Sequence, residues 1–403
     1  MNTDAPWPTR SWHSGAETMD FEYTDSEEAF RAEVRELLAE VWPEEIRRAG
    51  RASDEERERF RRAVGQRGWF SLGLPEEYGG LPNFSQMERY IVSDEASRAG
   101  APLPPYLVSI MGPLIMKYGT DWMKEDVLPR IRNGDVDFVL GFTEPETGSD
   151  LANLQTRAYR DGDEYVINGQ KMYGNPGPDD MMYLAVRTDP DAPLRRGISV
   201  LFVEYGRDGF TATKMPTLAG NTVGATFYDD VRVPADHLLG EENKGWDYIR
   251  EALDLDRTSG ITYGHLPLRL AELIEYVKSS TLNGRPLIDD PWVRDRIAQF
   301  VIEVEAGELL QGMTASKIAA DLRLRMESSI VKVFLTEMER RMGEFAMEVS
   351  GPLASLTPDS EDAPAGGQFY WTHRSNPGIT IAGGSNEIQR NIIAQQGLGL
   401  PRA

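Results

Sequence analysis

Apolar side chains over the first third of the chain recur at helical spacing. Phe30, Val34, Leu37, Leu38 and Val41 lie three or four apart, which puts them on one helix face. Thr24-Asp25-Ser26-Glu27 just before them predicts a capping box: the hydroxyl accepts an early amide proton and the carboxylate reaches back. Pro43 closes that helix. Ser53 to Glu56 repeats the device before an Arg-rich, solvated helix. Ser85 to Glu88 repeats it again before a helix through Ala99. The apolar stretch Leu103 to Tyr118 predicts a buried helix. From Phe138 to Val233 the pattern breaks into short β-rich runs: 165–167, 182–186, 198–203 and 225–228. Asp161-Gly162 and Asn168-Gly169 read as turns, the second as a hairpin through Gln170-Lys171 followed by the aromatic Tyr173. No long helical pattern interrupts these runs, so they predict an antiparallel β-domain. Helical periodicity returns after Gly245, over about 246–280, 291–320, 324–350 and 385–396. The Pro-, Ser-, Asp- and Gly-rich stretch 352–367 reads as a loop.

The expected architecture is therefore α+β, in the order helical, β, helical. Its expected divisions are a loose tail at 1–20, a helical domain at 21–137, a β-barrel-like domain at 138–240 and a helical domain at 241–403. Composition narrows the function. Lys and Arg number 43 against 65 Asp and Glu, a net charge of −22, which argues against a nucleic-acid backbone or an anionic membrane as partner. The absence of cysteine removes disulfides, thiolate metal sites and Cys nucleophiles, and fits a reducing cytoplasm. The four histidines have no metal-ligand spacing, so no metal is expected. His237 and His265 read as packed side chains.

Four segments carry candidate chemistry. Thr143-Glu144-Pro145-Glu146-Thr147-Gly148-Ser149-Asp150 follows the apolar run 138–142. Its open amides and hydroxyls suit a polar heterocycle or a phosphate, or form an ordinary strand-ending loop. Leu253-Asp254-Leu255-Asp256-Arg257 lies on a predicted helix. Its two aspartates are two apart, so only one can face inward, either as a general base or as a buried ion pair. Gly383-Gly384 leads into a helix start at Ser385, either an anion site or a plain capped turn. Asn168 to Lys171 with Tyr173 is the fourth.

Together these segments resemble the acyl-CoA dehydrogenase family. The resemblance adds Gly68-Trp69 to Pro75-Glu76-Glu77-Tyr78-Gly79-Gly80 near the start, Val231-Arg232-Val233-Pro234 with Leu239-Gly240 in the middle, and Ser385-Asn386-Glu387-Ile388-Gln389-Arg390 near the end. It implies an N-terminal helical domain, a central β-domain and a C-terminal four-helix bundle. It also implies FAD, an acyl-CoA substrate, α,β-dehydrogenation and an electron-transfer flavoprotein as acceptor. By position, Phe142, Thr143, Gly148 and Ser149 would contact the flavin. Tyr173 would lie against its ring, with Asn175 nearby, and Ser385 and Glu387 would approach the cofactor's other end. Ser149, Asp254 and Arg257 would line the substrate path.

The departures are informative. The family's common base is the Glu of a Tyr-Glu-Gly-Thr run, but here that run is Ala382-Gly383-Gly384-Ser385, and only the Gly383 amide is left to bind the thioester oxygen. A second branch of the family carries its base on the bundle helix, before an Arg. That slot here is Asp256-Arg257, which assigns the base to Asp256, one methylene shorter than the usual Glu. The family's Arg-x-x-Phe-Gly run, lent to a neighbour's FAD, is here Ser280-Thr281-Leu282-Asn283-Gly284. Its Gln-x-x-Gly-Gly run is Glu348-Val349-Ser350-Gly351-Pro352. The chain thus keeps its own half of the cofactor site and lacks the half it would lend. It resembles the heteromeric dehydrogenases of bacterial steroid side-chain degradation, in which a paralogous subunit supplies the missing contacts. The rival expectations are a flavin-dependent monooxygenase or oxidase on the same fold, and a non-catalytic partner subunit.

Overall fold

The computed structural model describes residues 23–44, 46, 52–81, 84, 86–102, 106–256, 263–320, 322, 324 and 326–401. The expected tail at 1–20, Ser85 and Arg257 lie outside them. The first third is helical: α1 (Asp25–Val41), α2 (Asp54–Gln66), α3 (Gln86–Arg98), α4 (Tyr106–Tyr118) and α5 (Leu128–Asn133). Both described capping boxes form. Glu27 N–H donates to Thr24 Oγ1 at 3.3 Å while Thr24 N–H donates to Glu27 Oε2 at 2.7 Å. Ser53 and Glu56 reproduce the pair at 3.2 and 2.6 Å.

Seven strands follow: β1 (Phe138–Gly141), β2 (Arg157–Asp161), β3 (Glu164–Met172), β4 (Met181–Arg187), β5 (Ile198–Glu204), β6 (Phe210–Pro216) and β7 (Thr222–Pro234). They form one sheet in the order β1-β4-β2-β3-β7-β6, with β5 on β4. Pairings β2–β3, β3–β7, β6–β7 and β4–β5 are antiparallel. The contacts of β1 and β2 with β4 are parallel, because the β2–β3 hairpin carries the chain back before β4 starts. β4 is apolar from Met181 to Val186 because both of its faces are covered. Tyr183 and Ala185 join the core shared with the N-terminal helices, and Met182, Leu184 and Val186 fill the core inside the curled sheet.

Asn168-Gly169 is not the expected hairpin turn. It is a bulge inside the nine-residue β3, where the register against β7 shifts between Ile167 and Gly169. Gly169 has φ 146°, and a Cβ there would meet Thr156 at 2.7 Å. The Asn168 side chain bonds Asp230 across the bulge in both directions, at 2.9 and 3.0 Å.

The last part is helical again: α6 (Gly245–Leu255), α7 (His265–Ser279), α8 (Pro291–Ala319), α9 (Glu327–Ser350), α10 (Gln368–Ile379) and α11 (Asn386–Ile392). The span expected as one helix over 246–280 is thus two helices. α6 belongs to the first core through Tyr248, Ile249 and Ala252, and so ties the β-domain to the N-terminal helices. The bundle core joins Leu266, Leu273, Phe300, Leu335, Phe345 and Phe369 from α7, α8, α9 and α10. Between α7 and α8 the short strands β8 (Thr281–Leu282) and β9 (Arg285–Pro286) form a hairpin on Asn283-Gly284, both at positive φ.

Candidate active site

Asp256 and Gly383 come from segments 127 residues apart and meet. Asp256 caps the C-terminal end of α6 in helical conformation and is 5% exposed. Asp254, two residues earlier, is exposed on the opposite side, as their spacing requires. Gly383 lies in the turn between α10 and α11 with φ 66°. Among the described residues, a Cβ built on Gly383 would find a single neighbour within 4 Å, Asp256 Oδ2 at 3.7 Å. The carboxylate on the helix therefore faces the backbone of the glycine turn. A side-chain carboxylate at both positions would set two negative charges against each other, so the loss of one and the presence of the other are one arrangement.

Sequence reasoning missed Tyr263, whose phenol feels this carboxylate, and the neighbouring pair of His265 and Glu339. Tyr263 is buried just before α7, and its N–H donates to Gln311 Oε1 at 2.8 Å. Burial, and then the negative charges of Glu339 and Asp256, push its phenol well up. His265 Nε2 lies 3.2 Å from Glu339 Oε1. Each of these residues looks ordinary in one dimension; only the folded bundle gathers them.

The turn holding Gly383 rests on a buried cation, also missed. Lys332, in the second turn of α9, is 4% exposed. It donates to Thr380 O and Gly384 O at 3.0 Å each and to Asn386 Oδ1 at 2.7 Å. Gln389 Nε2 adds bonds to Gly383 O and Gly384 O at 3.1 and 3.2 Å. Ser385 caps α11, its hydroxyl accepting from Ile388 N–H at 3.4 Å. Glu387 stands exposed in the first turn of α11. Its own backbone amide and Ser385 hold its carboxyl below the usual range.

The second grouping is the 142–150 loop. Its centre is a buried ion pair, Lys171 Nζ to Glu144 Oε1 at 2.9 Å, with Lys171 also donating to Phe142 O at 3.2 Å. Glu144 further accepts the backbone N–H of Gln155 at 2.6 Å and of Thr156 at 2.8 Å. Burial alone would raise the Glu144 carboxyl, but Lys171 and these bonds outweigh it and hold it low. Met172 N–H donates to Thr143 O at 2.8 Å, which seats the loop beside Tyr173. Tyr173 is 65% exposed at φ 70°, an unusual backbone for a non-glycine residue. Asn175 is exposed and bonds Thr222 Oγ1 at 3.2 Å. Gly148 and Ser149 are exposed, and a Cβ on Gly148 would meet none of the described residues within 4 Å. The Thr147 hydroxyl is buried, with no hydrogen-bond partner among the described residues. An exposed aromatic face, a loop with open amides and an orphaned hydroxyl together fit a large planar heteroaromatic ligand with polar edges.

His237 is structural: it stacks on Trp122 with ring centroids 3.7 Å apart, and its Nδ1 lies 2.9 Å from Phe202 O. Among the described residues no group of three His, Asp or Glu could hold a metal ion, and no helix is long and apolar enough to cross a membrane.

Models of the N-terminal, middle and C-terminal domains of acyl-CoA dehydrogenases match residues 24–135, 139–231 and 243–398. The chain is 39% identical over 400 residues to acyl-CoA dehydrogenase FadE26 of Mycobacterium tuberculosis, covering 96% of this chain and 100% of that protein. Among solved structures, a chain of the ChsE4-ChsE5 complex from Mycobacterium tuberculosis matches with a TM-score of 0.84 and 38% identity, over 96% of this chain and 100% of that one. A chain of the Tcur3481-Tcur3483 steroid ACAD matches with a TM-score of 0.85 and 34% identity at the same coverage.

Proposed function

Because this chain belongs to the acyl-CoA dehydrogenase family, we propose that it performs FAD-dependent α,β-dehydrogenation of an acyl-CoA as one subunit of a heteromer, with Asp256 as the base. The observation that carries this reading is the approach of Asp256 Oδ2 to the Gly383 position, 3.7 Å from where its Cβ would be. The C2 hydrogen of a thioester is weakly acidic until charge on the carbonyl oxygen is stabilised. A backbone amide of the 383–384 turn supplies that stabilisation and Asp256 takes the proton. Burial of Asp256 keeps competing water away.

The residues present fit FAD on one side. Phe142, Thr143, Gly148, Ser149, Tyr173 and Asn175 would hold its ring system, and Ser385 and Glu387 its other end; FAD bound there would supply the acceptor for a hydride leaving C3. The residues lent to a neighbour do not fit a second cofactor. The hairpin at 281–286 carries Asn283-Gly284 in place of the family's Phe-Gly, Ser280 stands at its Arg position, and Glu348 is exposed at the end of α9. A paralogous subunit with the Arg and Gly-Gly runs would complete the site, which agrees with the complexes named in the two matching structures. A steroid-type acyl group, a cytoplasmic setting and an electron-transfer flavoprotein as acceptor belong to the same proposal.

The test is to purify the chain alone and with a candidate paralogous subunit, then measure bound flavin and its anaerobic bleaching by short, branched and steroid CoA thioesters. The heteromer should hold flavin and bleach. Near-stoichiometric FAD in a homo-oligomer of this chain would refute the heteromer, and no bleaching by any thioester would refute the dehydrogenase.

A further inference from the structure

Gly383 and Gly384 stand at φ 66° and 88°. Two adjacent glycines are conformationally loose, yet this pair faces the proposed base and must hold one shape to serve it. The carbonyls of both point into the bundle: Gly383 O to Gln389, and Gly384 O to Gln389 and Lys332. No peptide bond here is cis. In a trans peptide the N–H points opposite to the C=O, so the amide of Gly384 leans away from Gln389 and that of Ser385 away from Gln389 and Lys332. Among the described residues, the amides of Gly383, Gly384 and Ser385 donate to no protein acceptor.

Lys332 is an unusual anchor. Its three partners are uncharged oxygens, and among the described residues it forms no ion pair. A buried ammonium without a carboxylate is costly, and a neutral donor would satisfy the same oxygens at lower cost. Thr336 and Ser329 brace it from the same helix. Thr336 Oγ1 lies 3.3 Å from Asn386 Oδ1, and Ser329 Oγ donates to Gln389 Oε1 at 2.7 Å.

We propose that Lys332 is a positioning residue for the dehydrogenation: its ammonium locks the Gly383-Gly384 turn so that the free amides meet the thioester oxygen, and its positive charge behind the turn favours the charge arising there. In the step it supports, the C2–H bond breaks, the proton passes to the Asp256 carboxylate, and the electron pair moves onto the thioester as an enolate. This deepens the reading of Asp256 and Gly383 given above and rests on it.

Proton transfer can be read without oxidation. The heteromer with its flavin already reduced is incubated in D2O with butanoyl-CoA and, separately, with a steroid side-chain acyl-CoA. Deuterium entering at C2 is then measured by mass spectrometry. The unaltered complex should exchange and Asp256→Asn should not. Lys332→Met should exchange about 10- to 100-fold more slowly, with thioester affinity changed less than about threefold. A merely structural lysine would lower the melting temperature and leave exchange per folded enzyme intact. Folded Lys332→Met exchanging within about twofold of the unaltered complex overturns the inference and leaves Asp256 standing. If that variant does not fold, Lys332→Gln, closer in shape and neutral, decides by the same criterion. No exchange by the unaltered complex would remove the reading of Asp256 and this inference together.

Discussion

Both turns that flank the proposed chemistry are pinned from below by a buried lysine, and they are pinned differently. Lys171 holds the flavin-side loop through Phe142 O and through a carboxylate, Glu144, which two backbone amides also bind. Lys332 holds the base-side turn through two backbone carbonyls and an amide oxygen, with no carboxylate in contact among the described residues. Burial lowers both ammonium groups to about 8, and only for Lys171 is the opposing pull a contacting carboxylate. The first arrangement neutralises its charge locally and builds a rigid, electrically quiet loop. The second leaves a positive charge standing behind the glycine turn, where the proposed reaction gathers negative charge. Glu387 and Glu337 act on Lys332 only from a distance, and a buried cation kept without a contacting carboxylate points to function more strongly than a paired one does.

This contrast is open to attack, and the largest effect should come from the paired side. Lys171→Met strands Glu144 as a buried charge and should cost about 3–5 kcal/mol. A drop in melting temperature with release of flavin would show it. Adding Glu144→Gln should restore part of the loss, and no restoration would mean the pair is not the source. Lys332→Met should cost less, about 1–3 kcal/mol, since it leaves unsatisfied acceptors but removes a charge as well. A loss larger than that of Lys171→Met would contradict the comparison.

The smallest effect is on pH dependence. A lysine whose folded value is lowered carries its cost in full below about pH 8, and that cost is relieved as pH rises toward the ordinary value of 10.5. Each lysine should therefore add about 1 kcal/mol of stability between pH 8 and 9 relative to its Met variant. Melting curves across that range check the sign: a wild-type advantage that shrinks with rising pH would contradict the assignment.

The sequence disclosed what depends on near neighbours. Thr24 with Glu27, and Ser53 with Glu56, announce helix starts because both partners of each bond lie within one turn. Asp254 and Asp256 had to face apart for the same reason. What depends on distant partners was hidden. Asn168-Gly169 carries a strong local turn signal, but the Asn168 side chain bonds Asp230, 62 residues on, and the pair forms a bulge in the ladder instead. α10 was missed because glycines precede it and Pro377 sits inside it. Lys332 looked like any solvated helix lysine, since the oxygens that bury it lie 48 to 54 residues further along. The departures at Gly383, Ser280 and Glu348 were legible only against a family pattern, not from physics within one chain.

The most direct trial of the whole account is Asp256→Asn in the flavin-loaded heteromer, mixed anaerobically with a steroid side-chain acyl-CoA while flavin absorbance is followed. The amide keeps the shape of the side chain and removes its basicity. Flavin content and thioester affinity should persist while bleaching slows by about a thousandfold. Bleaching within about tenfold of the unaltered complex would mean that the proton leaves by another route, and that this carboxylate is not the base.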